Sequence, residues 1–280
     1  MILIDMSQVI LGNLFGYTRD ISQIDEELIR HLTLNSLRIY KKKFKNYGDM
    51  VLVFDSGNYW RKEIFPPYKG VRKAKQEEKK EDWKRVWNFI RTIKQELTET
   101  FPYKVMSVKR TEADDIIAYL SKKYHTTEKI MIISSDKDFQ QLQRYPNVSQ
   151  YSPKNKSKIV TADPKQFLIE HIIKGDTSDG IPNILSDDDT LINPDKRQNR
   201  LTKKIFNAFT DDLSFGELPK GFEDNWKRNQ TLVDLEKIPD WINDEIEKEW
   251  NQPIEGNRSN LFNYFIEHKL KNLMENIGEF

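Results

Sequence analysis

Lys129-Ile130-Met131-Ile132-Ile133-Ser134-Ser135-Asp136-Lys137-Asp138 sets a short apolar run directly before two acids. A run of this length, closed by small polar residues, reads as a buried strand. The pattern occurs twice earlier, where Ile2-Leu3-Ile4 runs into Asp5 and Val51-Leu52-Val53-Phe54 runs into Asp55. A shorter strand is expected over 103–108, and an edge strand over 148–151. Between these runs the apolar residues recur at helical spacing. Leu28, Leu32, Leu37 and Phe44 mark a helix over 24–47, and Trp83, Trp87, Ile90, Ile93 and Leu97 mark one over 77–99. Thr111 is the expected N-cap of a helix over 112–124. A short helix is expected over 136–143. Strands alternating with helices imply βαβ units, hence an α/β fold with a mostly parallel central sheet flanked by helices.

After about residue 160 the strand signal fades. Residues 164–174, 201–209, 225–235, 242–250 and 259–274 read as helices, and the polar segment 186–200 as a mobile loop. The expected organisation is an α/β core over 1–160 and a helical C-terminal subdomain over 161–280.

If the strands are neighbours in one parallel sheet, Asp5, Asp55, Asp136 and Asp138 meet at one end of it. Open α/β folds bind ligands at that end. Glu112-Ala113-Asp114-Asp115 opens a helix, and Asp176 and Asp179 lie in Gly175-Asp176-Thr177-Ser178-Asp179-Gly180. Helix capping explains any one of these acids. It does not explain Asp138, or three acids within 112–115. So many carboxylates in one place repel unless cations sit among them, which points to divalent metals.

The chain has 280 residues, enough for one large domain or one with an appendage. Hydrophobic residues make up 37% and charged residues 32%, but 15 Phe, 11 Tyr and 6 Trp argue against wholesale disorder. There is no cysteine, so disulfides, thiolate catalysis and Cys-ligated zinc are excluded. His31, His125, His171 and His268 form no pair at metal spacing and read as structural or solvent-exposed. No apolar stretch approaches the roughly 18 residues of a membrane span. No signal-peptide pattern precedes the first strand, so the expectation is a soluble, intracellular protein without membrane partners.

The net charge of +1 hides a segregation, because residues 61–75 carry six basic residues and one acid. Here Tyr59, Trp60, Phe65 and Tyr68 interleave with Arg61, Lys62, Lys69, Arg72 and Lys73, around Pro66-Pro67 and Gly70, and the stretch reads as loop-like. Rings stack on unpaired bases while Arg and Lys hold phosphates, so this stretch is a candidate nucleic-acid contact. An acidic site beside a basic segment suits a polyanionic substrate cut with metal help. Trp83 and Trp87 read as packing residues, and Phe15 and Tyr17 as core. Two rival readings remain. An aspartate-based phosphotransfer protein fits acids at strand ends, but Asp5-Met6-Ser7 lacks the Asp-x-Asp its phosphatases need. A non-catalytic nucleic-acid-binding protein would keep clustered acids that only destabilise it.

The motifs Ile4-Asp5, Val53-Phe54-Asp55-Ser56-Gly57, Tyr68-Lys69-Gly70-Val71-Arg72, Glu112-Ala113-Asp114-Asp115, Ser135-Asp136-Lys137-Asp138 and Gly175-Asp176-Thr177-Ser178-Asp179-Gly180-Ile181-Pro182 resemble, in content and order, the 5′-nuclease superfamily. That superfamily includes flap endonucleases and the 5′-nuclease domains of bacterial DNA polymerases. Arg30-His31-Leu32, Leu34-Asn35-Ser36, Tyr59-Trp60-Arg61 and Glu279-Phe280 are similar to its branch of T-even phage ribonucleases H.

The resemblance implies a 5′-nuclease (PIN-like) core and a Mg²⁺-dependent 5′→3′ exonuclease with flap endonuclease activity. Its job would be removing RNA primers from lagging-strand fragments in phage replication. It implies two Mg²⁺ ions, with Mn²⁺ as a substitute. Asp5, Asp55, Glu112, Asp114 and Asp136 would serve the first ion, and Asp138, Asp176 and Asp179 the second, with Asp115 behind them. Residues 57–80 would form a basic arch in which Lys69 and Arg72 act on the scissile phosphate and Tyr59, Arg61, Lys62, Tyr68 and Lys73 contact nucleic acid. The implied partners are RNA–DNA hybrid, 5′-flap and forked duplex DNA, and a single-stranded DNA-binding protein. The enzyme would act as a monomer in the cytoplasm of the infected host. The chain departs from the family pattern where Gly180 replaces an Asn and Asn183 a Gly, with no glycine-rich turn following. Duplex binding there is expected to be atypical and to use Lys203 and Lys204.

Overall fold

The structure is a computed structural model describing residues 1–214 and 220–280, with Lys75 and 211–214 described in backbone only. Its centre is a six-stranded sheet in the order β3-β2-β1-β4-β5-β6. The strands are β1 (Ile2–Asp5), β2 (Met50–Val53), β3 (Lys104–Met106), β4 (Ile130–Ile133), β5 (Val148–Ser152) and β6 (Ser157–Ile159). The first five are parallel, and β6 folds back antiparallel on β5. The edge expected at 148–151 therefore lies one strand further out. Every residue of β1, β2 and β4 is buried, as a sheet covered on both faces requires.

The helices are α1 (Met6–Tyr17), α2 (Glu26–Lys43), α3 (Trp60–Ile64), α4 (Gly70–Glu77), α5 (Lys80–Thr100), α6 (Ala113–Tyr124), α7 (Pro164–Lys174), α8 (Lys203–Ser214), α9 (Glu223–Val233), α10 (Asp240–Trp250), α11 (Leu261–Glu267) and α12 (Lys271–Met274). Strand alternation sorts the core. Ile2, Ile4, Leu52 and Ile133 pack with α1, α2, α5 and α11 on one face. Leu3, Val53, Met106 and Ile132 pack with α6 and α10 on the other. A third cluster joins Phe65 and Tyr68 to α7, α8 and α9 through Ile172, Phe209, Trp226 and Leu232.

Several local expectations change. Residues 59–75 are not a loop but the two helices α3 and α4, separated at Pro66-Pro67, where proline stops helix propagation. Thr111 does not cap α6. Its hydroxyl donates to the Val108 carbonyl, and Glu112 caps instead, in a reciprocal box with Asp115. The turn after β4 is a 3₁₀ helix, Lys137–Arg144, capped by Asp136. The helix expected over 259–274 breaks into α11 and α12 at Lys269, whose φ is 54°. Phe15 and Tyr17 are exposed rather than core. Segment 186–200 is anchored instead of loose. Asn183 Nδ2 donates to the Asn199 carbonyl at 2.9 Å, Asn199 N donates to Ser186 Oγ at 2.9 Å, and Arg228 pairs with Asp188 at 2.6 Å.

Candidate active site

The strand order reverses direction at β1 and β4, which makes the crevice beyond their carboxyl ends the binding position of an open α/β sheet. Asp5 ends β1 and caps α1, accepting Gln8 N at 3.0 Å and Ser134 Oγ at 3.1 Å. Asp55 follows β2 and accepts Ala113 N at 2.9 Å. Asp136 follows β4 and accepts Asp138 N at 2.9 Å. The capping reading of Asp136 is thus correct, and it also fixes the carboxylate in the crevice. Asp114 enters from the first turn of α6.

These four acids have no ion pair among the described side chains. Burial, then repulsion from Asp55 and Asp136, pushes the Asp5 carboxyl up to about 7. Burial, then Asp136, Glu112 and Asp5, raises Asp114 well above the ordinary range. Burial also raises Asp138 to about 7, against the pull of His171 and with repulsion from Asp136 and Asp176. The shared repulsions place these carboxylates in one field.

Glu112 has different surroundings from those expected. Its Oε2 accepts Arg61 Nη1 and Tyr68 OH, each at 2.9 Å, and its Oε1 accepts Lys69 Nζ. Burial opposes its charge, but Lys69 and Arg61 hold its pKa below the ordinary value. Asp115 sits behind, on Arg61 Nη1 at 2.8 Å and Trp60 Nε1 at 3.1 Å. These are not the surroundings expected of nucleic-acid contacts: Arg61 is 2% exposed and Tyr68 4%, and both are engaged by acids of the crevice.

The exposed cations lie on α3 and α4. Arg72 and Lys73 face solvent, Lys62 is half-buried over the Tyr59 ring, and Lys69 packs against both Tyr59 and Tyr68. Lys69 has a left-handed φ of 56°, uncommon outside glycine, and its N–H donates to the Asp179 carbonyl at 2.7 Å. Gly180 follows with φ +77°, and an added Cβ there would lie 2.8 Å from the Pro67 carbonyl oxygen. Glycine at 180 is therefore what lets the Asp176–Gly180 turn touch the start of α4. Asp179 meets Lys69 at 3.8 Å and Arg72 at 3.2 Å, yet burial outweighs both and raises its pKa. Asp176 behaves oppositely. Burial disfavours its charge, but His171, Ser178 and Lys137 hold it well below the ordinary range. Lys203 and Lys204 are exposed at the start of α8.

One residue of the site was missed. His171 on α7 brings its imidazole to Asp138 and Asp176, and the ligand atoms of the three lie within 4.8 Å of one another. Only its position four residues before Gly175, one turn from the Asp176 loop, hinted at this. No helix among the described residues is long and apolar enough to cross a membrane.

Unneutralised carboxylates at the switch point of a doubly wound sheet, with a cationic helix beside them, define a metal-dependent nuclease. The chain belongs to the 5′-3′ exonuclease family. Residues 1–171 match the family model for the 5′-3′ exonuclease N-terminal resolvase-like domain, and residues 163–280 match that for the T4 RNase H C-terminal region. The chain is 33% identical to the ribonuclease H of Enterobacteria phage T4 over 99% of its own length and 95% of that protein's. It is 31% identical to a 5′-3′ exonuclease of Buchnera aphidicola over 54% of this chain and 50% of that one. In fold it resembles the bacteriophage T5 D15 flap endonuclease solved with DNA and metal ions, at TM-score 0.67 and 20% identity, covering 89% of this chain and 95% of that one. A zinc-bound structure of the T5 5′-exonuclease gives TM-score 0.66 at 20% identity, covering 89% and 96%.

Proposed function

We propose that this 5′-nuclease hydrolyses RNA–DNA hybrid and 5′-flap or forked duplex DNA with two Mg²⁺ ions, removing RNA primers and adjoining DNA during phage replication. The observation that carries this reading is a set of buried and half-buried carboxylates, Asp5, Asp55, Asp114 and Asp136, with no ion pair among the described side chains, beside Lys69 and Arg72, which are held by Glu112 and Asp179 at its edge. Two divalent ions held there would supply the missing positive charge and polarise the attacking water and scissile phosphate. Mn²⁺ would serve in place of Mg²⁺.

Asp5, Asp55, Asp114 and Asp136 would hold one ion, with Asp138, Asp179 and Asp176 arranged for the other. Glu112, expected as a ligand, instead stores Lys69 beside the site. Lys69 and Arg72 would move from Glu112 and Asp179 to the phosphate, giving charge-assisted hydrogen bonds aimed at developing charge. Tyr59 would stack on the terminal base, and Lys62 and Lys73 would guide the 5′ strand along α3 and α4. Lys203 and Lys204 on α8 would hold duplex phosphates in place of a glycine-rich turn. In this reading the core spans 1–160, with the basic arch at about 57–80, and the helical part spans 161–280. The family matches at 1–171 and 163–280, which overlap over 163–171, support a division close to there. A monomer in the host cytoplasm, working beside a single-stranded DNA-binding protein, completes the proposal.

The test is cleavage of 5′-labelled flap and hybrid substrates across a Mg²⁺ titration. Mg²⁺-dependent release of mono- and short oligonucleotides is expected. Cleavage that persists in EDTA would remove the metal assignment.

A further inference from the structure

His171 is a buried titratable group that the proposed mechanism leaves unused. It lies on α7 and is 6% exposed. Its Nδ1 is 3.3 Å from Asp138 Oδ1 and its Nε2 is 3.4 Å from Asp176 Oδ2. Neither nitrogen makes a hydrogen bond of proper geometry, and neither does Asp138 Oδ1. Buried polar groups left unpaired are destabilising, so a site that keeps them facing one another is built for something that satisfies them.

The two carboxylates are not equivalent. Asp176 is already filled, since its Oδ1 accepts Ser178 N at 2.8 Å and Ser178 Oγ at 2.6 Å, and its Oδ2 pairs with Lys137 at 3.0 Å. Asp138 Oδ1 has no such partner. The Phe167 ring packs edge-on against the imidazole at 5.8 Å and limits its rotation.

We infer that His171 is a direct metal ligand, with its Nδ1 and Asp138 sharing the second divalent ion and Asp176 accepting the Nε2–H from behind. This rests on the metal reading proposed above and changes it in one respect, since Asp176 holds the imidazole rather than the ion. A carboxylate behind the imidazole fixes its tautomer and makes the ligating nitrogen more basic. A nitrogen donor also changes selectivity. Imidazole suits first-row transition ions such as Zn²⁺ and Ni²⁺, with Mn²⁺ at the weak end of that series, whereas the all-carboxylate set around Asp5 favours hard ions such as Mg²⁺. The two sites thus differ in kind, and the second prefers the softer ion.

The experiment is a Mn²⁺ titration of the metal-free full chain and of His171→Gln, followed by pulsed EPR for ¹⁴N coupling to bound Mn²⁺. The other histidines are common to both proteins, so the difference reports His171. Imidazole-nitrogen coupling is expected in the unmodified chain and absent from His171→Gln. One Mn²⁺ site should weaken roughly tenfold or more while Mg²⁺ binding changes little. Melting in EDTA, with His171→Asn as a second variant, verifies folding. If His171 acts only as a cation between two acids, its removal tightens Mn²⁺ and Mg²⁺ alike. That outcome, or bound Mn²⁺ without nitrogen coupling, overturns the inference. Failure to bind any Mn²⁺ or Mg²⁺ would instead overturn the metal reading itself.

Discussion

Glu112 and Asp5 belong to the same acidic crevice, yet their surroundings are opposite. Glu112 is buried against Arg61 and Lys69 and stays ionised. Asp5 is also buried, has hydrogen-bond donors and the like charges of Asp55 and Asp136 around it but no cation, and is pushed up to about 7. Burial is common to both, so the difference comes from the neighbouring charges, cations beside Glu112 and carboxylates beside Asp5. The chain carries its own counter-ions for one part of the crevice and leaves the other part to be filled from solution. In the proposed function the first part is scaffold and phosphate grip, and the second holds the divalent ions.

The largest effect should come from the unfilled side. Asp136→Asn should remove at least about 4 kcal/mol of transition-state stabilisation, roughly a thousandfold in turnover, with flap binding nearly unchanged. Steady-state cleavage and an EDTA binding assay separate the two, and undiminished cleavage would erase the proposed division. On the filled side the loss should be structural. Arg61→Met strands Glu112 and Asp115 without their shared cation, which should cost about 3–5 kcal/mol in chemical denaturation. A variant as stable as the parent would show that this pair is not held by charge.

Lys69→Ala tests the bridge between the two sides. It should slow turnover about a hundredfold, or about 2.7 kcal/mol, with a smaller change in substrate affinity. An equal loss in both would make Lys69 a binding residue only. The smallest effect is thermal. Asp5 and Asp138 have folded-state values near 7 against an ordinary 3.8. Their protonated forms favour folding, so that contribution is full below about pH 4 and lost as pH rises through 7. In EDTA the melting temperature should fall by a few degrees between pH 5 and pH 8, and Mg²⁺ should restore it at pH 8. Asp176, held low, contributes the opposite slope only in strong acid. A melting temperature independent of pH and Mg²⁺ would contradict the empty-side description.

Reading the chain located the acids because strands and caps are local. Apolar runs of four residues and the aspartates closing them need no knowledge of their neighbours. Arg61 was misread for the same reason. In sequence it is one cation in a basic stretch, and only the packing of α3 against α6 and α9 turns it inward, onto Glu112, Asp115 and the Leu232 carbonyl. The loop-like reading of 59–75 failed because Pro66-Pro67 and Gly70 mark breaks between short helices as readily as a loop. Gly180 looked like a departure from the family pattern. Its need appears only when the Pro67 carbonyl arrives from more than 100 residues away.

The sequence by itself determined the parallel sheet, the acids at its end and the basic segment between Asp55 and Glu112, because each is written in hydrophobic period and local charge. Tertiary structure alone decided which acids receive cations, which basic residues stay free, and that His171 joins the site. Those outcomes depend on distances between segments far apart in the chain, and electrostatic energies in a buried crevice are set by such distances.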